Sequence, residues 1–577
     1  MWWVKDPDRL KSEVFAVEAL RDDQEWLSVT APTFSKDLLF AINFDIIVNG
    51  ETFRFRLQYP TFFPETPPSV IPRDGRQLSG HQYGTGGELC LEYRPDNWDP
   101  SATGSMLIES TYRLLSTEAA GTDGLEIVPS DHSVSLGQDL RRWICRFLIP
   151  QALMSYISDL PVGTCRDAEI VDMLVPTKKF TAYLRTIGPS ASPDWRESLI
   201  PDRGDAGAPA ILIRVGPSAD FPGVFPDQQS LDKFIATARG TDEPPLNFDA
   251  TKTRFTVVSD GNSVLVLCSW PNNRNSTSVI QYRPVYLKED TEIRLPGGYE
   301  SLASRKVGMV GCGALGSKIA ASLARSGVRG FVLIDEDILK PGNLVRHELD
   351  VGSVGAHKAE ALATRLKALA AGISVSYRRV ILGGQESSGN TASVLEELST
   401  CDLLIDATAN PQAFNFVASV ARNALRPMIW AEVYAGGIGG FVGRVRPGIE
   451  PPPHSARTQY LGWCRNQGVP WHGLDRDYAA HGIGTETLIA DDSDVAVIAA
   501  HTTRMGIDAL VHPDNSAFPH PAYVIGLARE WIFTEPFDTR PIDFVPDGQW
   551  TIQPSSERTQ EAIDFVLSIL KPSADEN

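Results

Sequence analysis

About thirty residues in the second half of the chain restrict its fold more than any other stretch. Val307-Gly308-Met309-Val310 is a short apolar run of the kind that forms a buried strand, and it leads straight into Gly311-Cys312-Gly313-Ala314-Leu315-Gly316. Leu315, Ile319 and Leu323 then recur at helical spacing, and Gly327 supplies a stop. A second apolar run, Phe331-Val332-Leu333-Ile334, ends in Asp335, nineteen positions after Gly316, where a doubly wound fold places a ribose-binding carboxylate. Strand, glycine turn, helix and acidic strand end together predict a doubly wound α/β domain holding phosphates at a helix N-terminus. Leu403-Leu404-Ile405-Asp406 predicts a further strand whose final carboxylate sits at the same ligand edge.

The glycines alone suit either the pyrophosphate of NAD or the phosphates of ATP. The residues after them separate the two. Asp335 and Asp337 form a DxD, and Asn343, Arg346 and Lys358 follow, with Asp406 closing the set. Two cations and an amide suit the clamping of a triphosphate whose α-phosphorus is attacked by a carboxylate, and an acid suits a Mg²⁺ ion on phosphate oxygens. Hydride transfer needs no such set.

Residues 306–408 resemble the adenylation domain shared by ubiquitin-activating enzymes and the sulfur-carrier activators ThiF and MoeB, in the segments VGMVGCGALGS, LIDEDILKPGNLVRH, GAHKAEAL and LLIDATAN. The resemblance implies that Gly311, Gly313 and Gly316 approach the phosphates and Asp335 the ribose. It places Asn343, Arg346 and Lys358 on the triphosphate, with Arg346 and Lys358 catalytic as well, and Asp406 on the magnesium. It also implies a homodimer through this domain, with Arg294 or Arg305 as the arginine delivered to a partner's nucleotide. The family's CxxC zinc staple has no counterpart here, so no structural zinc is expected.

The start of the chain reads as a small α+β unit. A helix is predicted near Asp6 to Glu25, then strands over Leu38 to Val48 and Thr52 to Tyr59 joined at Asn49-Gly50, and further helices over about Gly104 to Ala119 and Ser135 to Ser158. Between them stand the proline-rich stretch from Tyr59 to Pro68 and a glycine-rich loop carrying Cys90, with Trp98 and Pro100 eight and ten residues later. This order resembles the ubiquitin-conjugating fold, and implies that Cys90 accepts an acyl group as a thioester, a role thiolates suit because they attack near neutral pH and leave easily. Where that family has His-Pro-Asn this chain has His81-Gln82-Tyr83, so His81, Gln82 and Asn97 are the alternatives for the oxyanion donor. Downstream of Asp406, Cys464 follows the proline-rich stretch from Arg446 to Pro453, where the activating family places its mobile loop, and is the candidate activating thiol.

At 577 residues the chain must divide into several cores. Three segments are expected: a ubiquitin-conjugating-like domain over 1–158, a β-rich linker domain over 159–298, and a ThiF-like adenylation domain over 299–577. A net charge of −19 argues against broad attraction to nucleic acid or anionic membranes. Seven cysteines without a CxxC pair, and no stretch resembling a leader or a membrane span, lead us to expect a cytoplasmic protein.

Conjugating domain, linker, then activating domain is an order similar to the bacterial fusion found with CBASS antiphage systems. That resemblance implies adenylation of the C-terminus of a cGAS/DncV-like nucleotidyltransferase (CD-NTase), relay through Cys464 and Cys90, and conjugation to an amine, a lysine on a target, which primes second-messenger synthesis. A bacterial ubiquitin-like protein is the rival substrate. A sulfur-carrier adenylyltransferase would use residues 306–408 alike without needing Cys90, and a nucleotide-gated docking protein would bind ATP without releasing pyrophosphate.

Overall fold

A computed structural model of the protein describes residues 1–75, 82–83, 86–120, 135–175, 179–202, 204–216, 228–239, 253–271, 277–287, 295–384, 386–434, 436–468, 490–551 and 556–570. The chain divides into two compact units, Met1–Arg142 and Trp143–Asn577.

The first unit opens with the helical turn Trp2–Lys5 and continues in the helix Pro7–Asp23, started by Asp6, whose carboxylate accepts from the amide of Arg9, and by a proline in the first turn. Strands Leu27–Val29, Phe40–Val48, Glu51–Gln58 and Ser69–Pro72 follow as an antiparallel sheet in that order. Asn49 and Gly50 both have positive φ, 52° and 82°, the geometry of the tightest hairpin turn, which sets Val48 opposite Glu51. Phe40, Phe44, Phe55 and Leu57 turn one face inward onto Val17 and onto Leu107 of the helix Gly104–Ala120. Glu13, fully buried, ties the two helices to the sheet: it accepts from the Tyr59 hydroxyl at 2.8 Å and the Gly104 amide at 2.7 Å, and pairs with Arg9 at 2.9 Å.

The second unit holds two sheets. A single helical stretch over Ser135 to Ser158 does not form. Instead the short helix Leu136–Asp139 closes the first unit, and the second begins with the strand Cys145–Ile149 and the helix Gln151–Asp159. Cys145, Phe147 and Ile149 are buried while Arg146 and Leu148 are less so, a period of two, and Pro150 separates the strand from the helix after it. That strand joins Thr277–Tyr286, Val264–Pro271, Arg254–Ser259, Gly207–Arg214, Cys165–Val175 and Lys179–Ile187, and the last of these pairs back with Cys145–Ile149. Among the described residues, then, seven strands close into a barrel, which leaves no long exposed edge.

The other sheet runs in the order Ser374–Arg378, Gly330–Ile334, Lys306–Val310, Leu403–Asp406, Met428–Tyr434, Gly439–Val445, Ala522–Gly526 and Thr539–Ile542. The first five strands are parallel and the last three antiparallel. Helices cover both faces: Ile319, Leu323, Leu362 and Ile498 pack on one, Val394, Leu398, Phe414 and Val417 on the other. This is the doubly wound architecture predicted from the glycine turn. Lys306–Val310 and Leu403–Asp406 are the neighbours at which strand order reverses, so a crevice opens beyond Val310 and Asp406. No helix among the described residues is long and apolar enough to cross a membrane.

Candidate active site

The crevice is built first from glycines. Gly311 has φ +87°, and a side chain there would also press on the Ala407 carbonyl. A Cβ at Gly316 would collide with the carbonyl oxygen of Gly311, so this glycine lets the helix Ala314–Arg325 pack directly on the turn. Gly313 is different. A Cβ there would meet nothing within 4 Å, so no protein contact accounts for it. It stands at the N-terminus of that helix, which has no side-chain cap and no acid in its first turn. An open glycine beside uncapped amides fits the close approach of a phosphate.

Around this turn lies a cavity of about 620 Å³. Gly313, Asn343, Arg346 and Lys358 line it, so four of the predicted residues converge there. Lys358 begins the helix Lys358–Leu369, and its ammonium lies 2.6 Å from Oδ2 of Asp337. That ion pair holds the cation at the cavity wall and keeps the Asp337 carboxyl below its ordinary range, against the opposing effect of burial. Asn343 closes a tight turn with Lys340, its Oδ1 accepting from the Lys340 amide at 2.9 Å. Asp335 spends one oxygen on the Cys312 amide at 2.7 Å and the other on the Asp337 amide at 2.9 Å. It therefore braces the turn, and burial raises its pKa.

Asp406 ends its strand almost fully buried, with Oδ1 accepting from the amide and hydroxyl of Thr408 at 3.0 and 2.6 Å. Burial pushes its pKa up to about 6, and the nearby charge of Glu432 adds to the rise. It faces a second cavity of about 270 Å³, which meets the first at Ala409, Ala431 and Glu432. Cys464, on the helix Pro453–Asn466, lines this second cavity. The residue is 3% exposed, and burial pushes the thiol pKa up to about 11. Cys312 and Cys401 are buried as well.

Lys340, Glu336, His347 and Glu432 also line the first cavity and were not singled out from the sequence. Lys340 and His347 lie within LKPGNLVRH, where the spacing of Asn343 and Arg346 brackets them. Glu432 carries no local signal. His347 donates from Nε2 to the Cys312 carbonyl at 2.9 Å while Nδ1 accepts from the Leu349 amide, and burial holds it down to about 4. Arg305 lies 3.8 Å from Asp402, at the opposite end of its strand from the crevice, and Arg294 falls outside the described residues.

In the first unit Cys90 is partly exposed, directly after the strand Glu88–Leu89. Gln82 donates to the Gly87 carbonyl at 2.9 Å and so shapes this loop. Asn97 is spent on a local turn, accepting from Arg94 and donating to the Glu92 carbonyl, both at 2.7 Å. The Trp98 indole donates to the Pro64 carbonyl. His81 lies outside the described residues.

Residues 290–506 match the ThiF family. The C-terminal region carries a ThiF domain. The Sinorhizobium fredii protein y4qC is 28% identical over 252 residues, 42% of this chain and 43% of that protein. The ATP-dependent ubiquitin transferase-like protein Cap2 of Vibrio cholerae is 34% identical over 136 residues, 22% of each chain. The crystal structure of Escherichia coli MccB with ATP is similar at 18% identity, covering 43% of this chain and 67% of that one with a TM-score of 0.33. The similarity to these curated relatives spans less than half of their length. The strand reversal, the glycine turn and both cavities belong to the region matched as a ThiF domain.

Proposed function

We propose that the chain is an ATP-dependent protein-conjugating enzyme that adenylates the C-terminal carboxylate of a protein and carries the acyl group on thiols to an amine. The observation that carries this reading is the convergence of Asn343, Arg346 and Lys358 on one cavity with the open Gly313 at an uncapped helix start. ATP supplies an activated phosphorus and pyrophosphate as leaving group. The helix N-terminus, Arg346 and Lys358 would hold the negative charge of the triphosphate, Asn343 would orient it, and Asp406 would hold a Mg²⁺ ion that offsets charge on the phosphate oxygens. The Cap2 relatives, named as ATP-dependent and ubiquitin transferase-like, support this reading.

From the acyl adenylate the group passes to Cys464, beside the cavity junction, and then to Cys90 in the ubiquitin-conjugating-like first unit, before a lysine amine resolves the thioester. The substrate we favour is the C-terminus of a CD-NTase, with a ubiquitin-like protein as the alternative, and the ThiF domain is expected to act as a homodimer. Incubation with ATP, Mg²⁺ and either protein, followed by intact mass and non-reducing gels, tests the scheme. A reductant-sensitive adduct lost in both Cys90→Ala and Cys464→Ala supports the relay. Pyrophosphate release without any adduct on Cys90 overturns it in favour of a sulfur-carrier type of activation.

A further inference from the structure

The second cavity is more than a continuation of the first. Trp430 is 5% exposed, lines this cavity, and its indole N–H has no acceptor among the described residues. A buried donor left unpaired is uncommon and calls for a partner. Arg457 lines the same space, its guanidinium stacked 4.9 Å over the Phe414 ring, with no hydrogen bond or ion pair to another described residue. Two carboxylates, Asp406 and Glu432, share this lining: Asp406 is the strand neighbour of Trp430, and Glu432, which accepts from the Tyr460 hydroxyl, also forms part of the wall between the two cavities. Asn410, Tyr460 and Cys464 complete the polar part of the lining, and Phe414 and aliphatic side chains the rest. The volume, about 270 Å³, suits one side chain rather than a folded surface.

We infer that this cavity is a specificity subsite for an amide side chain, Gln or Asn, lying within two residues of the substrate carboxylate that becomes adenylated. The inference rests on the adenylation reading of the first cavity and names the substrate class for it. An amide can meet both kinds of group: its carbonyl accepts from Trp430 or Arg457 while its NH₂ donates to Glu432. A Glu or Asp side chain would bring a third carboxylate into the space, and a Lys would face Arg457 with no acceptor to offer Trp430. An extended chain advances roughly 3.3 Å per residue, so a carboxylate at the cavity junction places its nearest upstream side chains in the subsite.

The test is ATP–pyrophosphate exchange by the full chain with ten-residue peptides ending in glycine, in which Gln, Asn, Leu, Glu or Lys occupies each of the two preceding positions. Peptide binding by calorimetry and ATP affinity are measured alongside. At one position Gln or Asn is expected to give kcat/KM about 10- to 100-fold above Glu, Lys and Leu, the size of discrimination a site built for hydrogen bonding provides. That preference should collapse in Arg457→Met, and in Trp430→Phe where the ring cluster tolerates the change. Exchange with no preference among the five residues, or a preference undiminished in Arg457→Met, overturns the subsite while leaving adenylation standing. If ATP binds and neither the peptides nor the CD-NTase or ubiquitin-like protein supports exchange, the adenylation reading falls and takes the subsite with it.

Discussion

The imidazole of His347 joins the carbonyl of Cys312 to the amide of Leu349, through hydrogen bonds of 2.9 and 3.1 Å. One neutral ring thus fixes the glycine turn to the loop that carries Asn343 and Arg346. Because Nδ1 accepts, Nε2 must carry the proton, and a second proton would break the contact with Leu349. Burial holds the pKa at about 4, below the ordinary 6.5. A base depressed on folding contributes stability that is complete above its unfolded pKa and is lost as pH falls toward its folded one. Denaturation of wild type and His347→Gln between pH 7.5 and 4 should therefore diverge below pH 6.5, with the wild type losing up to about 3 kcal/mol more, from roughly 1.4 kcal/mol per unit. Parallel curves would show that the ring does not hold the turn.

Gly313 and Gly316 belong to one motif yet should fail differently. At Gly313, φ is −71° and the space around a Cβ is empty, so Gly313→Ala should leave the melting temperature nearly unchanged while weakening ATP binding at least about tenfold. At Gly316 the new Cβ would strike the Gly311 carbonyl, and the helix would have to move off the turn. Gly316→Ala should cost stability of the order of 1–3 kcal/mol, as overpacking does. Calorimetric melts and nucleotide titrations on both variants check this, and equal effects of the two would contradict it.

The two kinds of sheet were unequally visible in the sequence, for a physical reason. Parallel strands buried on both faces are written as unbroken apolar runs, and Val307–Val310 and Leu403–Ile405 sit in such runs beside glycine and carboxylate punctuation. Cys145–Ile149 has no such frame. Ile144, Phe147 and Leu148 fall at helical spacing as readily as Cys145, Phe147 and Ile149 fall at strand spacing, and only closure of the barrel decides between them. The site shows the same split. Asn343, Arg346 and Lys358 are legible because they follow the turn at short range, whereas Glu432 and Trp430 come from a strand whose neighbours are fixed only by the assembled sheet. The burial of Cys464 is likewise a property of packing, for the helix Pro453–Asn466 turns Tyr460 and Cys464 inward together.

Asp406 should be a case of function maintained against stability. Burial raises its pKa to about 6, so the folded state holds a proton more tightly than the unfolded chain does. Its contribution is favourable below about pH 4 and is lost as pH rises through 6. Ionising it at pH 7.5 thus costs roughly 3 kcal/mol, from about two units at 1.4 kcal/mol each. Asp406→Asn is expected to melt higher than wild type at pH 7.5, with the gain shrinking toward pH 4, and to lose pyrophosphate exchange by more than about 100-fold. A variant that melts lower at every pH would show the carboxylate to be a structural anchor of Thr408 instead.

The relay makes a kinetic demand that Cys464 can be seen to meet or fail. With its thiol at about 11, roughly one molecule in 10⁴ carries the thiolate at pH 7. Acyl transfer to this sulfur should accelerate close to tenfold per pH unit from pH 7 to 9, because only the thiolate attacks the adenylate. Cys90→Ser isolates the step, since an acyl group reaching the substituted hydroxyl forms an ester that survives reductant, while one on Cys464 does not. The reductant-sensitive fraction followed by quenched intact mass should therefore show that slope in Cys90→Ser and vanish in Cys90→Ser/Cys464→Ser. Should Cys464→Ser still load Cys90 at the wild-type rate, the acyl group travels from the adenylate to Cys90 without a stop on the ThiF domain, and the buried thiol is there for packing against Tyr460.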